Sequence, residues 1–323
     1  MNLGPVLDNL LSAPVLFFVL GMLAVSFRSD LEVPQPLPKL FSLYLLMAIG
    51  FKGGVELNHS GLNGTVLLTL GCAVLLSCVV PIWTYFLLRP KIGPHNAAAL
   101  AATYGSISAV TFIAAGSFIE QAGLPPYSGF MIAAMALMES PAIIIGVLLL
   151  KSTTSTPEQN TNWGELVHES FFNGSVVILM GSLIIGGITG EKGMNDISPL
   201  VSGLFKGVLC LFLLDMGIVA ARRLGDLARA GKFTIGFAMI APLVHALLGI
   251  AVAGMIGLGT SDALMLAVLA AGASYIAVPA AMRLSIPEAN PSIYLPMALA
   301  ITFPFNVVIG IPVYHLIIQQ LWS

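Results

Sequence analysis

Charged residues are scarce in this chain. Only 9% of its 323 residues are charged, against about 25% in soluble globular proteins, and the formal net charge is -2. No basic run is long enough to suggest phosphate binding, so nucleic acid is not an expected partner. The three cysteines, Cys72, Cys78 and Cys210, lie in apolar stretches without CxxC or Cys/His spacing. That pattern indicates packing residues and not a metal site.

Apolar residues take the place of charge. They make up 57% of the chain, and the mean hydropathy is +0.96. A membrane-spanning helix needs about 20 such residues. The candidate spans are 12–27, 37–51, 64–88, 96–118, 128–150, 171–189, 200–221, 233–258, 263–282 and 292–316. We therefore predict an all-α polytopic membrane protein with ten transmembrane helices. No basic region followed by a small-residue cleavage pattern opens the chain, so no cleaved signal peptide is expected.

The basic residues predict an orientation. Placing both termini outside assigns ten of the 13 lysines and arginines to the cytoplasmic side, as the positive-inside rule requires. Only Lys52, Lys192 and Lys206 then lie outside. We expect a protein of the bacterial inner (cytoplasmic) membrane with its N- and C-termini outside.

A polar connector divides the spans into two groups of five. The predicted units are residues 1–150, a cytoplasmic connector at 151–170, and residues 171–323. Because five is odd, the second unit must insert upside down relative to the first. Matching pairs of residues support two inverted repeats: Gly50 with Gly217, Gly105 with Gly272, and Pro141 with Pro304.

Two stretches interrupt this apolar pattern at mid-span. They read AATYGSISAVTFIAAG at 101–116 and VLAAGASYIAVPAAMR at 268–283. Glycine and small residues allow close backbone approach, and a helix break frees backbone groups that need other partners. Broken helices near the bilayer centre are typical of secondary transporters. We predict that spans 4 and 9 break and cross there, forming a substrate and ion site.

Hydroxyl and acidic residues near these breaks are the candidate ligands. Glu139, deep in span 5, is a costly intramembrane carboxylate; it would coordinate Na+ or, alternatively, make a structural hydrogen bond in its protonated form. For each serine or threonine the alternative is a bond to its own or a neighbouring helix. The predicted substrate-binding residues are Gly105, Ser106, Ser108, Thr111, Gly272, Ala273, Ser274 and Tyr275. The predicted Na+ ligands are Thr103, Ser108, Glu139, Ser140, Thr302 and Asn306.

Two polar residues outside the breaks leave alternatives open. Asp215 is either a second ion or gating group or a salt-bridge partner of the nearby arginines. His245 is a packing residue or a ligand. An intramembrane serine hydrolase, with Ser106 or Ser108 as nucleophile and His245 as base, is the rival to a transporter. A channel is a further alternative, although no repeated filter sequence is visible.

Several motifs resemble one transporter family. SAPVLFFVLGMLAV, LEVPQPL, MAIGFKGGVEL, MGIVAARRLGDL, APLVHALLGIAVAGMIG and above all MRLSIPEANPSIY resemble the sodium-dependent bicarbonate (SbtA-type) permeases nearly end to end. The resemblance implies ten spans in an inverted repeat, Na+ as coupling ion without an organic cofactor, commonly a homotrimer, and a transporter and not an enzyme. It implies symport of a small monoanion, bicarbonate first; an organic-anion symporter of bile-acid-symporter-like fold is the alternative.

The chain departs from this family at the predicted site. The family's SGST turn is Ser108 to Thr111 with two alkyl residues inside, and an acid in its SSSDISGPP stretch is replaced by Tyr275. An acid is retained at Glu139. These changes predict one weaker or missing Na+ site and a less polar anion pocket. The connector is also shorter than in the family's cyanobacterial members, which argues against docking of their PII-like regulatory protein.

Overall fold

The computed structural model describes residues 9–61, 63–154, 163–225 and 231–322. Within these ranges the chain forms helices joined by short turns, with no β-strand. Seven helical segments are long and apolar enough to cross a membrane. Because a chain of this composition cannot bury its apolar surface by folding alone, it is an integral membrane protein.

The helices follow one another with few long connections. Their bounds are α1 Ala13–Ser26, α2 Leu37–Ser60, α3 Gly64–Ile92, α4 Pro94–Gly105, α5 Ala109–Gln121, α6 Phe130–Glu139, α7 Pro141–Thr153, α8 Trp163–Phe172, α9 Gly174–Ser198, α10 Phe205–Leu224, α11 Lys232–Met255, α12 Thr260–Ala271, α13 Ala277–Ser285 and α14 Pro291–Leu321. The π-helical turn Pro199–Gly203 joins α9 to α10, and two further π-helical stretches, Met297–Thr302 and Asn306–Gly310, widen α14.

The predicted end of span 2 is wrong. The sequence predicts that this span ends at residue 51, just before the glycine pair Gly53 and Gly54, whereas α2 continues to Ser60. Both glycines lie inside the helix because neighbouring elements leave no room for a side chain: a Cβ on Gly53 would overlap Ile132, and one on Gly54 would overlap the Leu183 carbonyl. Glycine here serves close packing, not chain reversal.

Other predicted spans differ in length from the observed helices. The stretch from 174 to 223 is nearly continuous helix across predicted spans 6 and 7, with a kink at Gly190, whose φ of 55° is in the left-handed region. The helix α1 has only 14 residues. Within the predicted connector 151–170, α7 extends to Thr153 and α8 begins at Trp163; residues 155–162 lie outside the described ranges.

Two helix pairs form one side of the protein. The helix α2 packs along α9, and α1 packs along α10. Glycines make both contacts close: a Cβ on Gly50 would lie 2.6 Å from the Leu179 carbonyl oxygen, and one on Gly217 would overlap the Phe18 carbonyl. These four helices form a compact scaffold.

The remaining helices surround the two predicted breaks. The helix α4 packs between α3 and α7, and α12 packs against α11, α5 and the end of α14. Segment Pro94–Gln121 is almost wholly buried, so protein and not lipid surrounds it. We call the helices α3–α7 and α11–α14 the core.

Candidate functional site

The first helix break lies between α4 and α5. The helix α4 ends at Gly105, where a Cβ would overlap the Pro81 ring of α3. The helix α5 begins after Ser108, whose Oγ accepts hydrogen bonds from the Thr111 amide at 3.2 Å and the Thr111 hydroxyl at 2.8 Å. Ser108 therefore caps the second half-helix.

The second break lies between α12 and α13. The helix α12 ends at Ala271, and α13 begins at Ala277. The freed carbonyl of Ala271 accepts a 2.8 Å hydrogen bond from Asn306 Nδ2, and Tyr314 donates to Asn306 Oδ1 at 2.7 Å. Side chains of α14 thus satisfy the broken backbone, as buried polar groups require.

The two breaks meet. The Ser274 amide donates a 2.8 Å hydrogen bond to the Thr103 carbonyl, which joins the second break to the last turn of α4. A Cβ on Gly272 would lie 2.8 Å from the Ser108 nitrogen. Two breaks more than 160 residues apart in sequence therefore touch through their backbones, as the sequence predicts.

Some of the predicted ligands line a small cavity beside this crossing. Ser108, Glu139, Ser274 and Tyr275 all contribute to its wall. The space open to the centre of a water-sized sphere is about 20 Å³, enough for about one water or a bare ion. We call this space the inner cavity.

Other predicted ligands point their hydroxyls elsewhere. Thr103 Oγ1 donates to Ala99 in its own helix at 2.8 Å, and Ser106 Oγ donates to the Glu139 carbonyl at 2.9 Å. Ser140 Oγ donates to the Ser170 carbonyl of α8 at 2.7 Å. None of these three serine and threonine residues lines the inner cavity.

Thr302 and Asn306 also lie outside the inner cavity. Thr302 Oγ1 donates to the Ala238 carbonyl at 2.7 Å and contacts the Tyr104 hydroxyl at 2.8 Å, while the Asn306 amide holds Ala271. Both residues therefore stabilise the region where the two breaks cross without lining the inner cavity. The remaining predicted residues are Gly105, Gly272, Ala273 and Thr111. The first three have no polar side chain and lie where the helices break, and the Thr111 hydroxyl donates a hydrogen bond to Ser108 Oγ.

Glu139 is the decisive side chain of this cavity. It is the last residue of α6 and is only 7% exposed. Its carboxylate makes no hydrogen bond or ion pair with any residue in the described ranges. An unpaired intramembrane carboxylate is costly, and such groups are usually functional. The polar side chains beside it on the cavity wall offer hydroxyl oxygens, which are ligand atoms that suit a hard cation.

A family model describing the Na+-dependent bicarbonate transporter superfamily matches residues 13–319. The chain belongs to this superfamily. The match covers both breaks and every predicted site residue. The protein is therefore a membrane transport protein. Comparison with curated protein sequences finds no match.

Sequence reasoning missed two hydroxyls of the transporter's inner cavity. Ser42 of α2 and Ser175 of α9 line it from the scaffold side. The available signals were weak: Ser42 follows a proline-rich turn, and Ser175 follows the capping residue Asn173. Neither lies near a predicted break in sequence, so only the packing of scaffold on core reveals them.

A second, larger cavity adjoins the first. Its volume is about 490 Å³, and we call it the vestibule. Its wall shares Ser42, Ser175 and the segment from Tyr275 to Ala277 with the inner cavity. The two spaces are therefore neighbours separated by one layer of side chains.

The rival hydrolase arrangement is not formed in the described residues. The ring nitrogens of His245 have no hydrogen-bond partner there, and its ring packs edge-on against Trp83 with centroids 5.0 Å apart. Ser106 and Ser108 bond to other groups. Since a nucleophile needs its base within hydrogen-bond reach, His245 is a packing residue in this conformation.

Asp215 lies on α10 and lines neither cavity. It is only 5% exposed, and the positive charge of Arg222 acts on it. The distance between the two groups exceeds that of a salt bridge. The predicted alternatives for Asp215 therefore stay predictions.

Proposed function

We propose that the protein is a Na+-coupled symporter of a small monoanion, with bicarbonate as the first candidate. One observation carries the proposal: the Glu139 carboxylate, which has no partner among the described residues, faces the same cavity as Ser108 and Ser274, where two broken helices meet. A negative charge without a partner in that position is best explained by a cation that binds during transport.

The cation and the anion would bind side by side. Glu139, with the Ser108 and Ser274 hydroxyls, supplies oxygen ligands for Na+. The helices α5 and α13 both begin at the inner cavity, through Ala109 and Ala277, and helix N-termini favour anions. Na+ would cancel the charge of Glu139 and allow the anion to occupy the adjacent space. This order of events makes anion binding depend on Na+.

We also propose that the chain consists of two inverted repeats, residues 1–150 and 171–323, linked by a connector at 151–170. Paired contacts support this: α2 on α9 corresponds to α1 on α10, and α3 on α4 corresponds to α11 on α12. Two cross-ties also correspond. Asn96 Oδ1 accepts a hydrogen bond from the backbone N–H of Asn290 at 2.8 Å, and Asp262 Oδ1 accepts one from the backbone N–H of Ser128 at 2.7 Å. Each tie joins the start of one broken span to the loop before a helix of the other half.

The position of the vestibule supports alternating access. The vestibule opens at the end of the molecule that carries Lys39 and Arg223, which the positive-inside rule assigns to the cytoplasm. Elsewhere the exposed Lys206–Glu120 ion pair, at 3.2 Å, joins scaffold to core. Movement of core against scaffold would break such contacts and expose the site to the opposite side. We infer an inward-open state in an inner membrane, with both chain termini outside.

The choice of anion depends on the alkyl part of the wall. Val110 and Ala277 line the inner cavity, and neither donates a side-chain hydrogen bond. A monoanion somewhat larger or less polar than bicarbonate, including an organic anion, is therefore the second candidate. A homotrimer stays a prediction from the family resemblance, and the short connector remains the argument against docking of a PII-like regulator.

Uptake into proteoliposomes tests the proposal. A panel of labelled anions, bicarbonate and small organic monoanions among them, is offered with a Na+ gradient and with choline in its place. We expect one or more anions to accumulate only with Na+. Equal uptake in both salts for every anion would contradict Na+ coupling.

A further inference from the structure

The vestibule carries an inference about the anion's path. Two cationic side chains line it, Lys39 at the start of α2 and Arg223 near the end of α10. Both residues are exposed. The inner part of the wall is apolar and is formed by residues such as Met216 and Leu299.

We propose that Lys39 and Arg223 form a second anion station, at which the transported anion pauses between the inner cavity and the cytoplasm. This inference rests on the proposed function and adds a binding site to it. A cleft lined by one sign of charge with low-dielectric walls concentrates counter-ions, commonly by 10-fold or more. The vestibule has largely apolar walls, and its charged lining residues are two cations and one carboxylate, which leaves an excess of positive charge.

The vestibule adjoins the inner cavity, which would place the station on the path of the anion between that cavity and the cytoplasm. Tyr275 lines both spaces, and its ring packs edge-on against Phe303 with centroids 5.6 Å apart. Its hydroxyl lies beside Ser108 but makes no regular hydrogen bond in the described part of the chain. Because Tyr275 and the two residues that follow it line both cavities, this side chain lies between the two spaces. The anion leaving Ser108 therefore meets Lys39 and Arg223 next.

One carboxylate opposes the two cations. Glu169 of α8 also lines the vestibule, and its charge lowers the positive potential there. Among the residues that line the vestibule, Lys39 and Arg223 are positive and Glu169 is negative. Removing the charge of Glu169 should therefore strengthen anion binding, whereas removing the charges of Lys39 and Arg223 should weaken it; a purely structural role of these residues would not produce opposite effects.

The chain offers matched controls. Arg222 neighbours Arg223 in sequence and is also exposed, but it does not line the vestibule. Lys91 also belongs to the proposed cytoplasmic side and does not line the vestibule; its Nζ lies 5.8 Å from the centre of the Phe233 ring. The double variants Lys39→Gln/Arg223→Gln and Lys91→Gln/Arg222→Gln lose the same net charge from the same side.

Inside-out membrane vesicles test the station, since the vestibule then faces the bath. With a Na+ gradient and labelled bicarbonate, we expect Lys39→Gln/Arg223→Gln to raise the half-saturating anion concentration roughly 10-fold and to flatten its dependence on ionic strength. Glu169→Gln should lower the half-saturating concentration. Lys91→Gln/Arg222→Gln should match the unmodified protein, and right-side-out vesicles should show no difference among the variants.

The outcomes separate this inference from the proposed function. If the unmodified protein transports bicarbonate with Na+ but the vestibule and control variants behave alike, the station is refuted and the proposed function stands. An equal effect in both vesicle orientations would indicate a structural role and also refutes the station. If no Na+-driven transport occurs at all, the proposed function fails. Thermal stabilisation of the purified protein by bicarbonate without Na+ then decides the station: the vestibule variant must lose stabilisation that the control variant keeps.

Discussion

Replacing Glu139 by glutamine tests the cation site most directly. The change removes one negative charge while keeping the size of a side chain that is only 7% exposed. Two unit charges about 4 Å apart interact by about 4 kcal/mol at the effective dielectric constant typical of proteins. Since each 1.4 kcal/mol is a factor of ten, Glu139→Gln should weaken Na+ binding roughly 10²- to 10³-fold.

Such a loss moves the Na+ requirement beyond any practical concentration. We expect Na+-dependent bicarbonate uptake by proteoliposomes to disappear in Glu139→Gln at unchanged expression. Glu139→Asp should keep Na+ dependence with weaker affinity. Glu191→Gln, which removes an exposed carboxylate paired with His59 at 2.9 Å, is the matched control and should transport normally.

Stability gives an independent readout of the same charge. Without Na+, the unpaired carboxylate costs up to about 3 kcal/mol in an intramembrane position, and the neutral amide avoids this cost. We expect Glu139→Gln to melt at a higher temperature than the unmodified protein in Na+-free detergent buffer. Added Na+ should stabilise only the unmodified protein. Unchanged Na+ dependence of both uptake and melting in Glu139→Gln would refute the role of Glu139.

Substitutions at three further positions test the structure around the site. In Gly272→Ala the new methyl group would lie 2.8 Å from the Ser108 nitrogen, so transport should fall at least 10-fold in the uptake assay, and an unimpaired rate would contradict the close crossing. Asn306→Leu leaves the Ala271 carbonyl without its donor at a cost of roughly 1–3 kcal/mol, so the melting temperature should drop. Asp262→Ala removes both hydrogen bonds to Ser128, each 2.7 Å long, and should destabilise the protein by roughly 2–3 kcal/mol. Denaturation of Asp262→Asn should give a smaller loss, because the amide keeps one acceptor.

The apolar pattern predicted much of the fold because membrane insertion follows simple rules. Spans of about 20 apolar residues can be recognised from the sequence. The breaks at Gly105 and Gly272 can be recognised as well, since only glycine and small residues permit such close approach of helices. The glycine pair at 53 and 54 shows the limit of that reasoning. Glycine occurs both in turns and at tight contacts between helices. Only the folded structure, in which Ile132 packs against Gly53, shows that this pair belongs to a tight contact.

The sequence by itself determined that the chain is a membrane protein, and it located the two mid-span breaks and the intramembrane carboxylate Glu139 in the adjoining span. It did not determine which hydroxyls share the cavity with that carboxylate. The segment 94–121 is buried on nearly all sides, so helical periodicity distinguishes no functional face within it. Contacts between segments far apart in sequence decided that Ser108 and Ser274 line the cavity, that Ser140 bonds to α8, and that the scaffold adds Ser42. Side-chain direction across such contacts is a property of packing, and packing exists only in the folded protein.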